Sequence, residues 1–566
     1  MLARTLLVPT AVLLVPLCSA LAQGTTRVGV DSLGAEANGA SWRSAITPDG
    51  RFVAFESDAS NLVGSDTNGA RDVFVRDRLL GTTELISVSI TSASGDDYSF
   101  WPSISADGRY VAFSSYASDL VAGDVNGQPD AFLRDRQIGT TVMVSVTSAG
   151  QIAYGGWSGA ASISGDGHLV AFISSATNLG GWMQPGLYLH DLLAGSTSFV
   201  VTSGQLDLQG SPALSFDGRY TAWATTYNLG APGLVYVFDR TTVLSTLGST
   251  APGGLPNSSC YGPSLSDNGR YLAFVSAASN IVPNDTSGFS DVFVTDLQTA
   301  TTERVSAAPG GVDADAGSGY GRISTDGRYV VFASSADNLV PNDTNGVSGP
   351  PAIGSDVFIR DRLLATTERV SLTDSGAQSD DASNSLEPSV SSDGLLIAFS
   401  SSATNLVSSD TNGVGDVFVR DRGSPPPVTY CTAKVNSLGC VPAIGSSGMP
   451  SMSGPDSFYV TATNVLNNKS GMMLWAGAQG SVPFHGGILC LAAPIVRTTL
   501  QNSGGSATGL DCTGGYSYFF SQSAMAAHFL AAGSQVCCQF WSRDPGFPIP
   551  SNRIGLTDGL QFVVGP

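Results

Sequence analysis

Ser105-Ala106-Asp107-Gly108-Arg109-Tyr110-Val111-Ala112-Phe113 is the clearest of seven copies of one phrase in this 566-residue chain. A recurrence every 51 to 67 residues is typical of an architecture built from stacked copies of one unit. The phrase therefore decides the fold, and its turn glycine lies at Gly50, Gly108, Gly167, Gly218, Gly269, Gly327 and Gly394.

The second copy shows how one unit is predicted to fold. Residues 99–104 and 109–114 alternate as strands around an Asp-Gly turn, in which glycine supplies the positive φ of a tight hairpin. Residues 130–134 and 140–146 add a third and a fourth strand. Four strands per unit, repeated seven times, predict an all-β fold, a seven-bladed β-propeller.

The two ends of the repeat array predict how the ring closes. Residues 25–30 match the fourth strand of later units, such as residues 301–306, while the last unit stops after its third strand at residue 422. An N-terminal strand that completes the last blade leaves no free sheet edge. We therefore assign residues 25–422 to the propeller.

The phrase Ser-x-Asp-Gly-Arg-Tyr-Val-Ala-Phe, followed by Asp-Val-Phe-Val-Arg-Asp, resembles the TolB-type, WD-like propeller repeat of exported bacterial proteins. The resemblance covers residues 25–422. It implies the propeller fold and says little about activity, because such repeats occur in a translocation factor, in peptidases and in many secreted proteins. The α/β-hydrolase domain of the peptidases has no counterpart here.

Composition and the N-terminus indicate an exported protein. Residues 1–22 have a positive start, an apolar stretch and a small-residue cleavage site, which is the pattern of a signal peptide. No later segment is apolar for the length of a membrane span. The net charge of −20 argues against nucleic acid as a partner and favours binding of hard cations such as calcium. The alternative is that the negative surface only aids solubility.

A second motif between the second and third strands predicts metal sites in five units. Asp-x-Asn-Gly with a following Asp offers two carboxylates and an amide on a sharply turned backbone, which suits structural calcium. Simple turns are the alternative, because Asp and Asn also bond their own backbone. The candidate ligands are Asp66, Asn68, Asp72, Asp124, Asn126, Asp130, Asp285, Asp291, Asp343, Asn345, Asp356, Asp410, Asn412 and Asp416.

The search for catalytic residues predicts none. The sequence has no Gly-x-Ser-x-Gly elbow, and its four histidines have no zinc spacing. We interpret His168 and His190 as surface variants of the repeat. The aspartates that follow each third strand, such as Asp77 and Asp135, recur in every unit, so we expect them to fix a turn.

Positions where the copies differ indicate a binding site. Two residues per unit, directly before the first-strand proline position, are expected near the mouth of the central channel, where aromatic and charged groups suit a sugar or a peptide. Packing of the aromatics between blades is the alternative. The candidates are Trp42, Arg43, Phe100, Trp101, Tyr261, Tyr320 and Glu387.

The last quarter of the chain differs in composition from the repeats. Residues 423–428 form a Pro-rich linker, and residues 429–566 contain six of the eight cysteines. This pattern predicts a small disulfide-containing β-sandwich domain with up to three disulfides, in which Cys537 and Cys538 pair with different partners. Cys260 is expected to be buried and free.

Taken together, these features predict an exported, non-enzymatic binding or scaffold protein that is periplasmic, cell-surface or extracellular. Its propeller would hold a protein or carbohydrate partner of the cell envelope, with calcium as a structural ion. The alternative is a hydrolase or lyase that acts on polysaccharide or peptide at the channel mouth.

Overall fold

The structure is a computed structural model, and it describes residues 24–180, 185–202, 210–225, 231–345, 356–381, 387–423, 427–448, 450–451, 456–530 and 534–565. The predicted signal peptide and the centre of the predicted linker lie outside these residues. The chain divides into a unit of residues 23–422 and a second unit that includes residues 423–566. Within the described residues, no helix has the length and apolar character needed to cross a membrane.

The first unit has a β-propeller fold, with seven four-stranded antiparallel sheets among its described residues. We number the sheets 1 to 7 after the turn glycines, and their strands follow in spatial order. Sheets 1 to 3 are Ser41–Ile46, Phe52–Ser57, Asp72–Asp77, Thr82–Leu85; Ser99–Ile104, Tyr110–Ser115, Asp130–Asp135, Thr140–Met143; and Ser158–Ile163, Leu169–Ser174, Gly186–Asp191, Ser196–Thr202.

Sheet 7 takes its fourth strand from the start of the chain, as the sequence predicts: Gly24–Arg27 pairs antiparallel with Asp416–Asp421. Sheets 4 and 5 are Ala213–Leu214, Tyr220–Ala224, Val235–Asp239, Leu244–Leu247; and Cys260–Leu265, Tyr271–Ser276, Asp291–Asp296, Thr301–Arg304. Sheets 6 and 7 are Ser318–Ile323, Tyr329–Ser334, Asp356–Asp361, Thr366–Arg369; and Ser389–Val390, Leu396–Ser401, Asp416–Asp421, Gly24–Arg27.

The Asp-Gly turn of the repeat is held by its own side chains. Asp107 accepts hydrogen bonds from the Ser105 hydroxyl at 2.6 Å and the Arg109 backbone amide at 2.9 Å. Gly108 has φ +71°, and a Cβ there would lie 2.2 Å from the ring of Phe52 in the preceding sheet. The glycine therefore serves both the turn and the packing between sheets.

The same contact recurs at every turn glycine and links the seven sheets in one cycle. Each glycine packs on the residue that begins the second strand of the preceding sheet, and Gly50 of sheet 1 packs on Leu396 of sheet 7. Within sheets, phenylalanines of the second and third strands stack in the core, as Phe113 and Phe132 do with ring centroids 5.8 Å apart. Both of these rings are fully buried.

In sheets 1 to 6 the aspartate that ends the third strand has the turn-fixing role that we expected. Asp77 accepts hydrogen bonds from the backbone amides of Leu79 and Leu80, and it also binds Arg51 through both carboxylate oxygens. Equivalent bidentate Arg–Asp pairs join residues 109 and 135, 219 and 239, 270 and 296, and 328 and 361.

The described residues of the second unit form three sheets and one short helix, Gln522–Ala527. The largest sheet has the strand order Val428–Tyr430, Gly559–Val563, Gln535–Arg543, Ser470–Ala476, Val496–Arg497. In addition, Gln501–Asn502 pairs with Ser470–Ala476, and Ile554–Leu556 pairs with Gln535–Arg543. The others are Ala443–Ser447, Tyr459–Val465, Gly514–Phe519; and Gln479–Phe484, Gly487–Leu491. Two 3-10 turns, Pro309–Gly311 and Pro550–Asn552, complete the described elements.

One hydrophobic cluster draws side chains from both the largest sheet and the three-stranded sheet. Val460 and Tyr516 contribute from the smaller sheet, and Met473, Phe540 and Phe562 from the larger. Two sheets that share one core in this way are expected to pack face to face.

The cysteine prediction needs a correction. The described cysteines form two disulfides, Cys431–Cys490 and Cys440–Cys512, while Cys537 and Cys538 are buried and unpaired. Both lie in the central strand Gln535–Arg543 and point to opposite faces, where each packs in a different hydrophobic cluster. Cys260 is buried and free, as predicted.

Candidate functional site

A cavity of about 200 Å³ lies where the first strands of the seven sheets converge. Every sheet contributes residues from its first strand or from the residues directly before it. Most of the lining consists of serine, alanine and proline, which leaves the charged and aromatic groups to define its chemistry. Those groups are Arg43, Trp101, Arg322 and Glu387.

A β-bulge in the first strand positions the variable side chains. The register shifts between residues 42 and 45 in sheet 1, and between 100 and 103 in sheet 2. Arg43, Trp101, Ala160 and Tyr320 at these bulges, and Glu387 at the equivalent sequence position of sheet 7, all have left-handed backbone conformations, with φ from +39° to +73°. We call these five the bulge residues. Non-glycine residues adopt this conformation at a cost, and such strain is often found at functional sites.

Charged side chains form a network across this end of the channel. Arg322 lies 2.9 Å from Glu387, and Arg43 lies 3.6 Å from the other oxygen of the same carboxylate. Arg43 also approaches Glu56 at 3.8 Å, and its guanidinium lies 5.4 Å from the ring centroid of Trp101. The network thus offers two guanidinium groups and one carboxylate beside an indole ring.

Glu56, in the second strand of sheet 1, contacts Arg43 and Trp101 of this network. Its side chain is almost fully buried, accepts a hydrogen bond from the Trp101 backbone amide at 3.0 Å and lies 3.5 Å from Arg71. Burial raises the pKa of Glu56, while the Trp101 amide and the two arginines lower it by smaller amounts. This carboxylate therefore helps to hold Trp101 in its left-handed conformation.

Three of the seven predicted mouth residues are among the described residues that line the cavity. Arg43, Trp101 and Glu387 line the cavity, whereas Trp42 packs under Arg71, with the guanidinium 4.2 Å from its ring centroid. The described lining of the cavity does not include Phe100, Tyr261 or Tyr320. Phe100 instead lines a second, open groove with Tyr98, Tyr116, Arg71, Asp58 and Gly69.

Sequence reasoning missed three members of this network: Glu56, Arg71 and Arg322. A signal was available for Glu56, because it is an acid at a second-strand position where the other sheets have small or apolar residues. Those residues are Ser114, Ile173, Ala224, Val275, Ala333 and Ser400.

The predicted metal loops share one framework. In sheet 1, Asn68 donates hydrogen bonds to Asp72 at 2.9 Å and to the Gly95 carbonyl at 2.7 Å, and its own side-chain oxygen accepts from Ala70. Sheet 2 repeats the framework with Asn126 and Asp130. In both sheets a serine two residues after the fourth strand also donates to the second aspartate.

An arginine of the fourth strand enters three of the five loops. Arg304 contacts Asp285, Asp291 and Asp313 at 3.4, 3.6 and 2.5 Å. Arg369 contacts Asp343 at 2.8 Å and Asp356 at 3.3 Å, and Asn345 of the same loop donates to the Ser379 carbonyl. The candidates Asp285, Asp291, Asp343 and Asp356 thus already have a cationic partner.

The third such arginine is Arg27, which ends the strand Gly24–Arg27 and contacts the acidic loop of sheet 7. Asp410, Asp416 and Glu36 place oxygens close enough together to hold a metal ion. Arg27 contacts all three carboxylates, at 3.7 Å for Asp410 and 3.4 Å for Asp416, and Asn412 bonds Asp416 at 3.1 Å. Burial nevertheless raises the pKa of Asp416 to about 7.

The histidines that were expected on the surface differ in position. His168 is exposed beside its turn, whereas His190 is 7% exposed, which corrects the prediction. His190 lies in a third strand with Nδ1 2.9 Å from the Thr197 hydroxyl, and burial lowers its pKa. Neither histidine is among the described residues that line the central cavity or the open groove.

No protein-family model and no curated protein matches the chain. Among solved structures, it is similar to an oligogalacturonate lyase in complex with manganese, at 15% identity and a TM-score of 0.45, over 71% of this chain and 94% of that one. The propeller domain of the Trilobed protease from Pyrococcus furiosus matches at 10% identity and a TM-score of 0.42, over 68% and 93%. TolB from Acinetobacter baumannii matches at 13% and 0.32, over 69% and 82%.

These likenesses are too distant to carry a functional argument. The propeller fold rests instead on the four-stranded sheets and on the glycine contacts between them.

Proposed function

We propose that this chain is an exported binding or scaffold protein whose seven-bladed propeller holds a carbohydrate or protein partner at the channel mouth. In this proposal the seven sheets are the blades, and the second unit is a β-sandwich. The two disulfides support export, because such bonds persist in oxidising compartments.

One observation carries the binding role: the side chains that differ between sheets are presented by strained bulges around one cavity. Arg43, Trp101 and Glu387 have positive φ and line the same space. A cavity of about 200 Å³ accommodates one sugar ring or one peptide side chain, rather than a larger ligand. An indole face beside forked hydrogen-bond donors suits a hydroxyl-rich or carboxylate-bearing group.

The hydrolase or lyase alternative has less support from the cavity. The one acidic residue among its described lining residues, Glu387, lies between Arg43 and Arg322. A general acid or base needs a group that can exchange protons with the substrate, and this carboxylate is committed to two guanidinium groups.

A binding comparison tests the proposal. Wild-type protein and Trp101→Ala are applied to a glycan array and to immobilised envelope extract, with Tyr261→Ala as an aromatic control outside the described cavity lining. We expect a ligand that wild type and Tyr261→Ala retain and Trp101→Ala loses. Equal retention by all three proteins would contradict binding at the mouth, and turnover of a retained glycan would favour the enzyme.

Calcium as a structural ion of the acidic loops is a separate part of the proposal. Its support is the oxygen-rich donor set of these loops, which suits hard cations.

A further inference from the structure

We infer that the loops of sheets 1 and 2 bind a divalent cation of the calcium type, and that an arginine takes the place of this ion in sheets 5, 6 and 7. The inference rests on the proposed structural role of calcium and is independent of the channel-mouth ligand. It assigns the ion to Asp66 and Asp72 in sheet 1, and to Asp124 and Asp130 in sheet 2.

Strand register identifies the position that distinguishes the two groups of loops. Arg304, Arg369 and Arg27 each pair with a phenylalanine of the neighbouring third strand: Phe293, Phe358 and Phe418. In sheets 1 and 2 the residues that pair with the equivalent Phe74 and Phe132 are Leu85 and Met143. The arginine is thus replaced by an apolar side chain in two loops that keep both aspartates.

A second position changes together with the arginine. Residues 36, 313 and 378, which follow the fourth strand, contribute Glu, Asp and Gln, and all three contact the arginine of their loop. The matching residue in sheet 1 is Ser94, whose hydroxyl accepts from Thr67 just as Glu36 accepts from Thr411. In sheet 2 it is Ile152, next to the Ala153 carbonyl that binds Asn126.

The aspartates of sheets 1 and 2 are consequently buried without a cationic partner. Asp72 and Asp130 are fully buried, and Asp66 and Asp124 are each 7% exposed. Across the part of the chain that the structure describes, no arginine, lysine or histidine forms an ion pair with any of the four. Burial of two adjacent carboxylates is costly unless a positive charge compensates them.

Asp66 gives an independent indication of a ligand. Both of its carboxylate oxygens are buried, and neither has a hydrogen-bond partner of ordinary geometry among the described residues. Buried carboxylates in proteins are normally paired, hydrogen-bonded or bound to metal. Asp66 and Asp72 interact electrostatically, so one ion between them would satisfy both.

The donor chemistry selects the class of ion. The available groups are carboxylates, the Ser94 hydroxyl, backbone carbonyls and water, with no thiolate or imidazole, which favours a hard divalent cation over zinc. A divalent ion neutralises both aspartates, whereas an arginine brings one charge and is accompanied by further polar partners. Because Ile152 offers no donor where Ser94 does, we expect sheet 1 to bind more tightly than sheet 2.

Calcium titration of the full chain, after treatment with chelator, tests the inference by calorimetry and thermal unfolding. We expect about two ions per wild-type chain and a calcium-dependent rise in melting temperature. Asp66→Asn and Asp124→Asn, which preserve side-chain shape, should each remove about one ion. Asp285→Asn is the matched control in an arginine-containing loop and should remove none.

An exchange of the distinguishing residue provides the sharper test. Arg304→Leu should create an additional calcium site in sheet 5, and Met143→Arg should remove the site in sheet 2 and raise stability in chelator. Failure of the wild type to bind calcium would overturn both the structural role of calcium and this assignment. It would instead favour a proton shared between the two aspartates of each loop. Binding that survives Asp66→Asn and Asp124→Asn but not Asp285→Asn would overturn the assignment alone.

Discussion

The turn region of the propeller is nearly the same in every sheet, whereas the channel mouth differs from one sheet to the next. The turn region comprises residues 47–50 of sheet 1 and their six counterparts, together with the Arg–Asp pairs beside them. The channel mouth comprises the bulge residues that line the central cavity, among them Arg43, Trp101 and Glu387.

The difference teaches which residues build the propeller and which are available for binding. Gly108 and Asp107 each have contacts that any propeller blade of this type needs, within the turn and against the preceding sheet. At the mouth, an equivalent left-handed backbone position holds an arginine, a tryptophan, an alanine, a tyrosine or a glutamate. Substitutions in the two regions should therefore separate stability from binding.

The largest effect is expected at a turn glycine. Gly327→Ala would place a Cβ 2.2 Å from Tyr271 of sheet 5 at a φ of +78°, so we expect a loss of about 3 kcal/mol in the free energy of unfolding. Gly376 has the same φ with nothing within 4 Å, and Gly376→Ala should cost only about 1 kcal/mol. Equal losses in chemical denaturation would show that backbone conformation alone explains the glycine.

The next largest effect is expected in the pH dependence of the free energy of unfolding, measured in the presence of chelator. Two carboxylates of the turn region should change this free energy in opposite directions. Burial, aided by Asp326, raises the pKa of Asp267 to about 6, so its contribution is complete below the unfolded pKa of about 4 and is lost as pH rises through 6. Arg270 lowers the pKa of Asp296 to about 2, so that contribution is lost as pH falls from about 4 to 2. Stability should be greatest near pH 4 to 5.

The variant Asp267→Asn isolates the first of these sources. It should reduce the loss of stability between pH 5 and pH 8 and leave the acid limb unchanged. A pH profile that is identical to that of the wild type would show that Asp267 has an ordinary pKa.

A smaller effect is expected at an Arg–Asp pair. Arg328 binds Asp361 through Nε at 3.1 Å and Nη2 at 2.7 Å and stacks on Tyr329, so Arg328→Gln should cost about 1 kcal/mol. Arg219→Gln breaks the equivalent but more exposed pair and should cost less. The two variants are compared by thermal unfolding at low and high salt, where a salt-independent cost would indicate lost packing rather than lost charge.

The smallest effect on stability is expected at the channel mouth. Glu387→Gly removes a left-handed residue with φ +73° and also its contacts with Arg43 and Arg322, and these effects oppose each other. The unfolding free energy should change by less than about 1 kcal/mol, while binding of the mouth ligand is lost. A large loss of stability would place Glu387 among the residues that build the propeller.

The fold could be predicted from sequence because its unit is repeated and each copy carries the same local signals. Alternating strands and an Asp-Gly turn identify the hairpin, and the match of residues 25–30 to the fourth strand of later units identifies the closing partner. The candidate site was predicted less well, since three of seven mouth residues line the cavity. A bulge places neighbouring side chains in different environments: Trp42 packs against Arg71, and Phe100 lines the open groove while its ring lies edge-on to Trp101, with centroids 5.0 Å apart.

The acidic loops show the same limit in another form. Sequence identified every loop by its Asp-x-Asn-Gly or Asp-x-Ser-Gly motif. The arginines that enter three of them lie in a different strand, 13 residues after the second aspartate, or at the opposite end of the chain. Whether a buried carboxylate has a partner depends on strand register, which the motif does not contain.

The sequence by itself determined the repeat, the four-stranded unit and the turn chemistry, because these follow from local backbone preferences and side-chain alternation. Only the tertiary structure decided that each turn glycine must accommodate a side chain of the preceding sheet, that Glu56 anchors the mouth network, and that Cys431 and Cys440 pair with Cys490 and Cys512. These features depend on contacts between residues far apart in the chain. Their free energies come from burial and pairing across sheets, which no local pattern specifies.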